Sequence, residues 1–296
     1  MNEIPKISFL KSGKAGLEFE IFTLGNLFSR EDKLSFSLEK PHRVNFHHIL
    51  FITKGKGIHH IDFTPYSYNE GSIIFISKGQ VHAFEVRPER DGFLLLFTEA
   101  FLSKNLIHSD ILSFYRLYNY YLHSPIIQPE ETGKENFANI ITEISKEYNS
   151  PDDFAKEDIL RLLLKLLLLK AERIKQTLIS GQKNSEWLIR FNVFRDQLER
   201  HFIETRSATK YADIMNISYK HLNEICKSIA GVTAKKVIDN FVILEIKRHL
   251  AMSDIPIKEL TYELGFDEPT NLVKFFKKHT SHSPAQFKHH LIKQSH

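Results

Sequence analysis

Five polar side chains on one short stretch of this 296-residue chain have the types and spacing to read a nucleic acid: Thr270, Asn271, Lys274, Lys277 and Lys278. An asparagine amide can pair bidentately with adenine, a lysine can donate to guanine, and further lysines suit phosphates. A second set lies fifty residues upstream: Tyr219, Lys220, His221, Asn223, Glu224 and Lys227. Glu224 is its odd member. A carboxylate cannot bind phosphate, so near the backbone it is a costly, repelling charge unless it accepts a hydrogen bond from a donor such as cytosine N4 or neutralises Lys220 one turn back.

Such chemistry needs helices to aim it. Ile257, Leu260 and Leu264 fall at i, i+3 and i+7, one face of a short helix. Pro256 suits its first turn, and Gly265 can take the left-handed conformation that ends it. Asp267 is then placed to cap a second helix whose buried face is Leu272, Phe275 and Phe276. Two short helices around a tight turn make a helix-turn-helix, which lays its second helix in the DNA major groove.

The upstream set repeats the arrangement. Ala212, Ile214 and Met215 belong to a short apolar helix, Asn216 and Ile217 turn the chain, and Ser218 caps a helix burying Leu222, Ile225 and Cys226. Between the units, residues 234–252 read as one helix, roughly 28 Å long at about 1.5 Å per residue. That approaches the ~34 Å repeat of the duplex, so one strut can present both reading helices to one side of it.

Residues 191–287 therefore resemble the DNA-binding domain of the AraC/XylS family of bacterial transcription regulators. The resemblance rests on ISYKHLNEICK (217–227), LEIKRHL (244–250) and IKELTYELGFDEPTNLVKFFKKHTSHSPAQF (257–287). There are departures from the family pattern: Cys226 replaces an aromatic, Val242 an arginine in the strut, Ser281 a helix-ending glycine, and Glu224 a common arginine.

Composition agrees with a regulator of that kind. The chain is 42% apolar and 26% charged, which is globular. Residues 205–296 hold fourteen Lys/Arg against nine Asp/Glu, a net +5, leaving −1 on the remainder of a chain of charge +4. A basic segment on a near-neutral body is the footprint of nucleic-acid binding. One cysteine excludes an internal disulfide and suits a reduced compartment. The N-terminus does not read as a signal peptide, and the apolar run at 162–169 is too short to span a bilayer. A soluble, cytoplasmic protein is expected.

The N-terminal half reads as antiparallel β structure, with strands at 18–23, 46–53, 57–63, 72–76, 82–86 and 93–97, forming a small barrel or jelly roll. HHILFITKGKG (47–57) and GQVHAF (79–84) resemble the cupin-like sensor domain common in AraC/XylS regulators. Aligned on Gly55, the cupin metal ligands would fall on His42, Val44, His48 and His82. Valine supplies no ligand and the glutamate is missing, so no metal and no cofactor is expected. His42, Arg43, His48 and His82 are instead expected to line an effector pocket, and His47, His59 and His60 to be surface or hydrogen-bonded strand histidines.

Helices are expected at 135–148 and 154–178. In the second, Ile159, Leu162, Leu163, Leu166 and Leu169 form one stripe, read as core, while Leu160, Leu164, Leu167 and Leu168 cover most of the rest. A helix this apolar is buried on two sides, and a second copy of the chain is the simplest outer partner. The expected organisation is α+β: a cupin-like sensing and dimerisation domain at 1–180, a linker at 181–186, and a double helix-turn-helix at 187–296. The partners implied are double-stranded DNA, RNA polymerase, an unknown small-molecule effector and a homodimer mate, with no membrane. The alternative is a metal-dependent cupin enzyme with a helical appendage.

Overall fold

Short runs of β-branched and aromatic residues pair into two five-stranded sheets in the computed structural model. It describes residues 6–7, 9, 17–29, 37–85, 89–104, 117–118, 124–128, 131–177, 185–252 and 255–294. In chain order come β1 (Lys6–Ile7), β2 (Phe19–Thr23), α1 (Leu24–Phe28), β3 (His42–Val44), β4 (His47–Lys54), β5 (Gly57–Ile61) and β6 (Thr64–Tyr68). Then follow β7 (Ile73–Ile76), β8 (Val81–Ala83), β9 (Asp91–Phe97), α2 (Glu99–Ser103), β10 (Ile126–Ile127), α3 (Glu131–Asn149) and α4 (Lys156–Thr177).

One sheet has the order β1-β3-β8-β5-β6 and the other β10-β7-β4-β9-β2. The span expected as one strand at 57–63 is half of a hairpin, because Asp62 and Phe63 take positive φ and turn the chain into β6.

The second sheet is covered on both faces, which explains why β4, β7 and β9 are almost continuously apolar. Leu50, Ile52, Ile74, Ile76, Leu94 and Leu96 pack with Val44, Ile61 and Phe84 of the first sheet's side. The alternate residues Ile49, Phe51, Ile73, Phe75, Leu95 and Phe97 pack with α3 and α4.

That second contact reverses the expected orientation of α4. Leu160, Leu164, Leu167, Leu168 and Ala171 are the core stripe, whereas Ile159, Leu162, Leu166 and Leu169 are exposed, Leu162 by 65%. Both stripes have helical periodicity, so spacing alone could not choose between them. The polar residues decide it: buried Arg161 donates from Nε to the Phe101 carbonyl at 2.9 Å, and buried Lys175 donates to the Leu117 carbonyl at 3.1 Å.

A second compact unit begins past residue 182, and all its elements among the described residues are helices. It comprises α5 (Ser185–His201), α6 (Ala208–Ile214), α7 (Tyr219–Ala230), α8 (Ala234–Met252), α9 (Ile257–Glu263), α10 (Pro269–Thr280) and α11 (Pro284–Gln294). Its centre is α8, which buries Ala234, Val237, Ile238, Phe241, Val242, Ile243, Ile246 and Leu250, and also the Glu245–Arg248 ion pair at 2.6 Å. Among the described residues of both units, no helix is long and apolar enough to cross a membrane.

Candidate nucleic-acid interface and effector site

α6, with α7, forms the first helix-turn-helix. The buried face of α6 is Ala208, Tyr211 and Ala212, while Ile214, expected in this short apolar helix, ends it exposed. Asn216 turns the chain at φ +51. The Ser218 hydroxyl then accepts the His221 N–H at 3.1 Å, capping α7 as expected. Leu222, Ile225 and Cys226 are fully buried, and burial pushes the Cys226 thiol up to about 12. Tyr219, Lys220, Glu224 and Lys227 are exposed.

Two of the expected reading residues are placed otherwise. Asn223 is half-buried, and its Oδ1 accepts the Ala234 N–H at 2.9 Å, capping the start of α8. Its amide therefore serves the junction between reading helix and strut, a tertiary role that no local pattern announces. His221 is half-buried against the edge of Trp187, 5.9 Å between ring centres. Its Nδ1 lies 3.9 Å from Glu224, so the nearest charge partner of Glu224 is His221 and not Lys220.

α9 and α10 form the second unit. Leu260 and Leu264 are buried, and Pro256 occupies the cap position just before α9. Gly265 has φ +71, and a Cβ there would stand 2.0 Å from the Ile203 carbonyl oxygen, so glycine is required twice over. Asp267 is not the cap of α10. Glu268 holds that position without a side-chain bond, because Pro269 fits the first helical position, where no N–H is needed, and so sets the start. Leu272 and Phe276 are buried; Phe275 is half-buried against Phe266 and His279. Thr270, Asn271, Lys274, Lys277 and Lys278 are all exposed. The last two lie in the final turn, where the helix dipole favours cations.

In the first unit, four histidines converge between the sheets. His42 and His82 face each other across β3 and β8, their rings 4.4 Å apart. His59 on β5 and His48 on β4 bring their rings to 5.5 and 4.9 Å from His82. Phe84 and Phe46 close the cluster. Burial holds all four imidazoles below their usual range, with the His42 shift partly offset by its bond to the Lys40 carbonyl and His59 lowered to about 3. Among the described residues, both ring nitrogens of His48 and His82, and Nε2 of His59, have no hydrogen-bond partner.

Arg43 does not join this cluster. β3 alternates, so Arg43 points opposite to His42 and Val44, with its guanidinium near Gly79. His59, expected at the surface or in a hydrogen bond, is buried; exposed Ile58 and buried His59 invert the polarity that their types suggest. His47 is also buried, 3.5 Å from Glu99, and His60 is exposed. Among the described residues no three His, Cys, Asp or Glu side chains are placed to hold a metal ion together.

A two-sheet domain followed by paired helix-turn-helix units on a shared strut defines a class: the DNA-binding transcription regulators that carry their own ligand-binding domain. Residues 33–164 match the AraC-like ligand binding domain, and residues 211–290 match a helix-turn-helix domain. The chain belongs to the AraC/XylS family of transcription regulators. It is 21% identical to the HTH-type transcriptional activator RhaS of Enterobacter sp. (strain 638), over 267 residues covering 87% of this chain and 90% of that one. The Citrobacter koseri RhaS is also 21% identical, with 97% of each chain covered. Among solved structures, ToxT from Vibrio cholerae is similar with a TM-score of 0.45 and 13% identity, covering 92% of this chain and 98% of that one.

Proposed function

We propose that this chain reads its operator with both α7 and α10, responds to a small molecule held at the histidine cluster, acts as a cytoplasmic homodimer, and is not itself an enzyme. The observation that supports this best is the repeat itself. Leu222 and Leu272 are fully buried at equivalent positions, and each helix turns a polar face outward. Base contacts are assigned to Lys220, Glu224, Asn271 and Lys274, and phosphate contacts to Lys227, Lys277 and Lys278, with Thr270 beside the start of α10. RNA polymerase is the partner that a promoter-bound regulator implies, and the activator names of the relatives make activation the mode to test first.

For the first unit, residues 1–180 are assigned to sensing and dimerisation, 181–186 to the linker, and 187–296 to DNA. Neutral imidazoles each offer one donor and one acceptor. His48, His59 and His82 with unpartnered nitrogens suit a small polar effector. The exposed stripe of Ile159, Leu162, Leu166 and Leu169 is apolar surface that a second copy would cover.

Selection of bound sequences from random DNA, run on the wild type and Glu224→Ala, tests the assignment. Base reading predicts a loss of about 1–3 kcal/mol on the preferred site and relaxation at one position. Uniformly tighter binding with an unaltered motif would leave Glu224 as a repelling charge only.

A further inference from the structure

Arg206 lies in the connector between α5 and α6, yet its contacts are with the turn of the second helix-turn-helix. Nη2 donates to the Leu264 carbonyl at 2.6 Å, and the guanidinium carbon sits 3.5 Å from the centre of the Phe266 ring and 6.0 Å from that of Phe275. Leu264 caps α9, so its carbonyl is one that the helix leaves unsatisfied, at the negative end of the dipole. Three residues earlier the Ile203 backbone is seated directly on Gly265.

The same connector is tied to the rest of the unit. The Tyr211 hydroxyl of α6 donates to the Thr205 carbonyl at 3.0 Å, and Phe202 packs edge-on against Phe241 of the strut at 5.3 Å. Asp239 of the strut pairs with Lys235 at 2.6 Å and approaches His279, in the last turn of α10, at 4.0 Å. The turn that launches α10 is therefore gripped from the first helix-turn-helix side, and its far end from the strut.

We infer that Arg206 is a positioning residue for DNA reading: it fixes the turn that aims α10 and so sets that helix relative to the first helix-turn-helix. The inference rests on α10 being a reading helix. Planarity matters here, because the guanidinium stacks on Phe266 while bonding Leu264, which a lysine ammonium cannot do.

The test uses the full chain on a duplex selected from random DNA by the wild type, with affinity per folded molecule and hydroxyl-radical footprints. Lys274→Ala first marks the part of the footprint that belongs to α10. Arg206→Met, which keeps apolar bulk over Phe266, should weaken binding at least tenfold and lose protection in that part alone. Arg206→Lys should not restore it. Gly265→Ala, which adds no charge, should reproduce the pattern and covers the case in which the arginine variant folds poorly.

A direct phosphate contact would instead leave both halves of the footprint intact, lower the slope of log affinity against log salt by about one, and be rescued by lysine. That result overturns the inference, as does a change under twofold with an intact footprint. If Lys274→Ala itself changes nothing, the reading role of α10 fails, and the inference falls with it.

Discussion

Acidification should unfold the first unit before the second, and His59 lets the size be worked out. This imidazole is 3% exposed, and its pKa is lowered to about 3 by burial, with smaller contributions from His42, His60 and Arg90. In the unfolded chain it titrates near about 6.5. Between those values the unfolded state binds the extra proton, so stability is full above pH ~6.5 and falls as the pH drops toward ~3.

From pH 7.5 to 5 one such group costs about 2 kcal/mol, since each pH unit below the unfolded pKa is worth about 1.4 kcal/mol. His48 and His82 are also held well below the usual imidazole range, chiefly by burial. They add to the loss in the same sense, against the roughly 5–15 kcal/mol that holds a domain folded. Urea unfolding at several pH values, with pulsed hydrogen exchange on β4 and β9, isolates the first unit. Fluorescence of Trp187, the one tryptophan of the chain, follows the second. The first unit's midpoint should fall by at least about 1 M urea between pH 7.5 and 5. His59→Gln should flatten the slope by one proton. A midpoint that stays level, or an unchanged slope in the variant, would refute the reasoning.

Leu162→Glu with Leu166→Lys should give monomers by sedimentation while the first unit stays folded, whereas Leu164→Lys, on the core face, should unfold it; dimers surviving the first pair would place the interface elsewhere. Lys277→Ala and Lys278→Ala should each weaken binding similarly on all sequences and lower the salt slope by about one. Ser281 ends α10 at φ +64, where glycine has no Cβ penalty, so Ser281→Gly should raise the second unit's stability by about 0.5–1 kcal/mol, the conformational gain less the added unfolded-state entropy. The equivalent Gly231 at φ +70 sets the standard for that position; a Ser281→Gly melting temperature at or below wild type would count against strain there.

The strut was legible to the residue, because the apolar positions of residues 234–252 keep one helical period between turn-forming neighbours. The inner faces of both reading helices were legible too, since Leu222, Cys226, Leu272 and Phe276 repeat one pattern, although the second starts after Glu268 and not after Asp267. What sequence could not supply were choices made by tertiary contact. α4 carries two leucine stripes of equal period, and only tertiary partners decide which is buried: the phenylalanine-rich outer face of the second sheet, and the carbonyls that Arg161 and Lys175 reach. Asn223 has the type and spacing of a base reader, but the free N–H of Ala234 lies closer. His59 faces inward because β5 must place Ile61 there, and the pleat carries His59 with it. Arg206 has no local signature at all; its hydrogen-bond and ring partners, Leu264, Phe266 and Phe275, are fifty-eight or more residues away.

The double covering of β4, β7 and β9 has a consequence for the order in which the protein is made. The sheet's outer face, with Phe19, Phe51, Phe75 and Phe97, is complete by residue 97 but for the edge strand β10 at Ile126–Ile127, whereas its helical cover, α3 and α4, begins at residue 131. A ribosome adding about 5–20 residues per second therefore leaves an apolar sheet without its lid for several seconds, longer than strands need to pair. During that window the nascent chain is a natural client for chaperones that hold exposed apolar surface. A fragment stopped at residue 128 should carry the same uncovered face permanently and collect in inclusion bodies, while one reaching residue 177 should remain in solution.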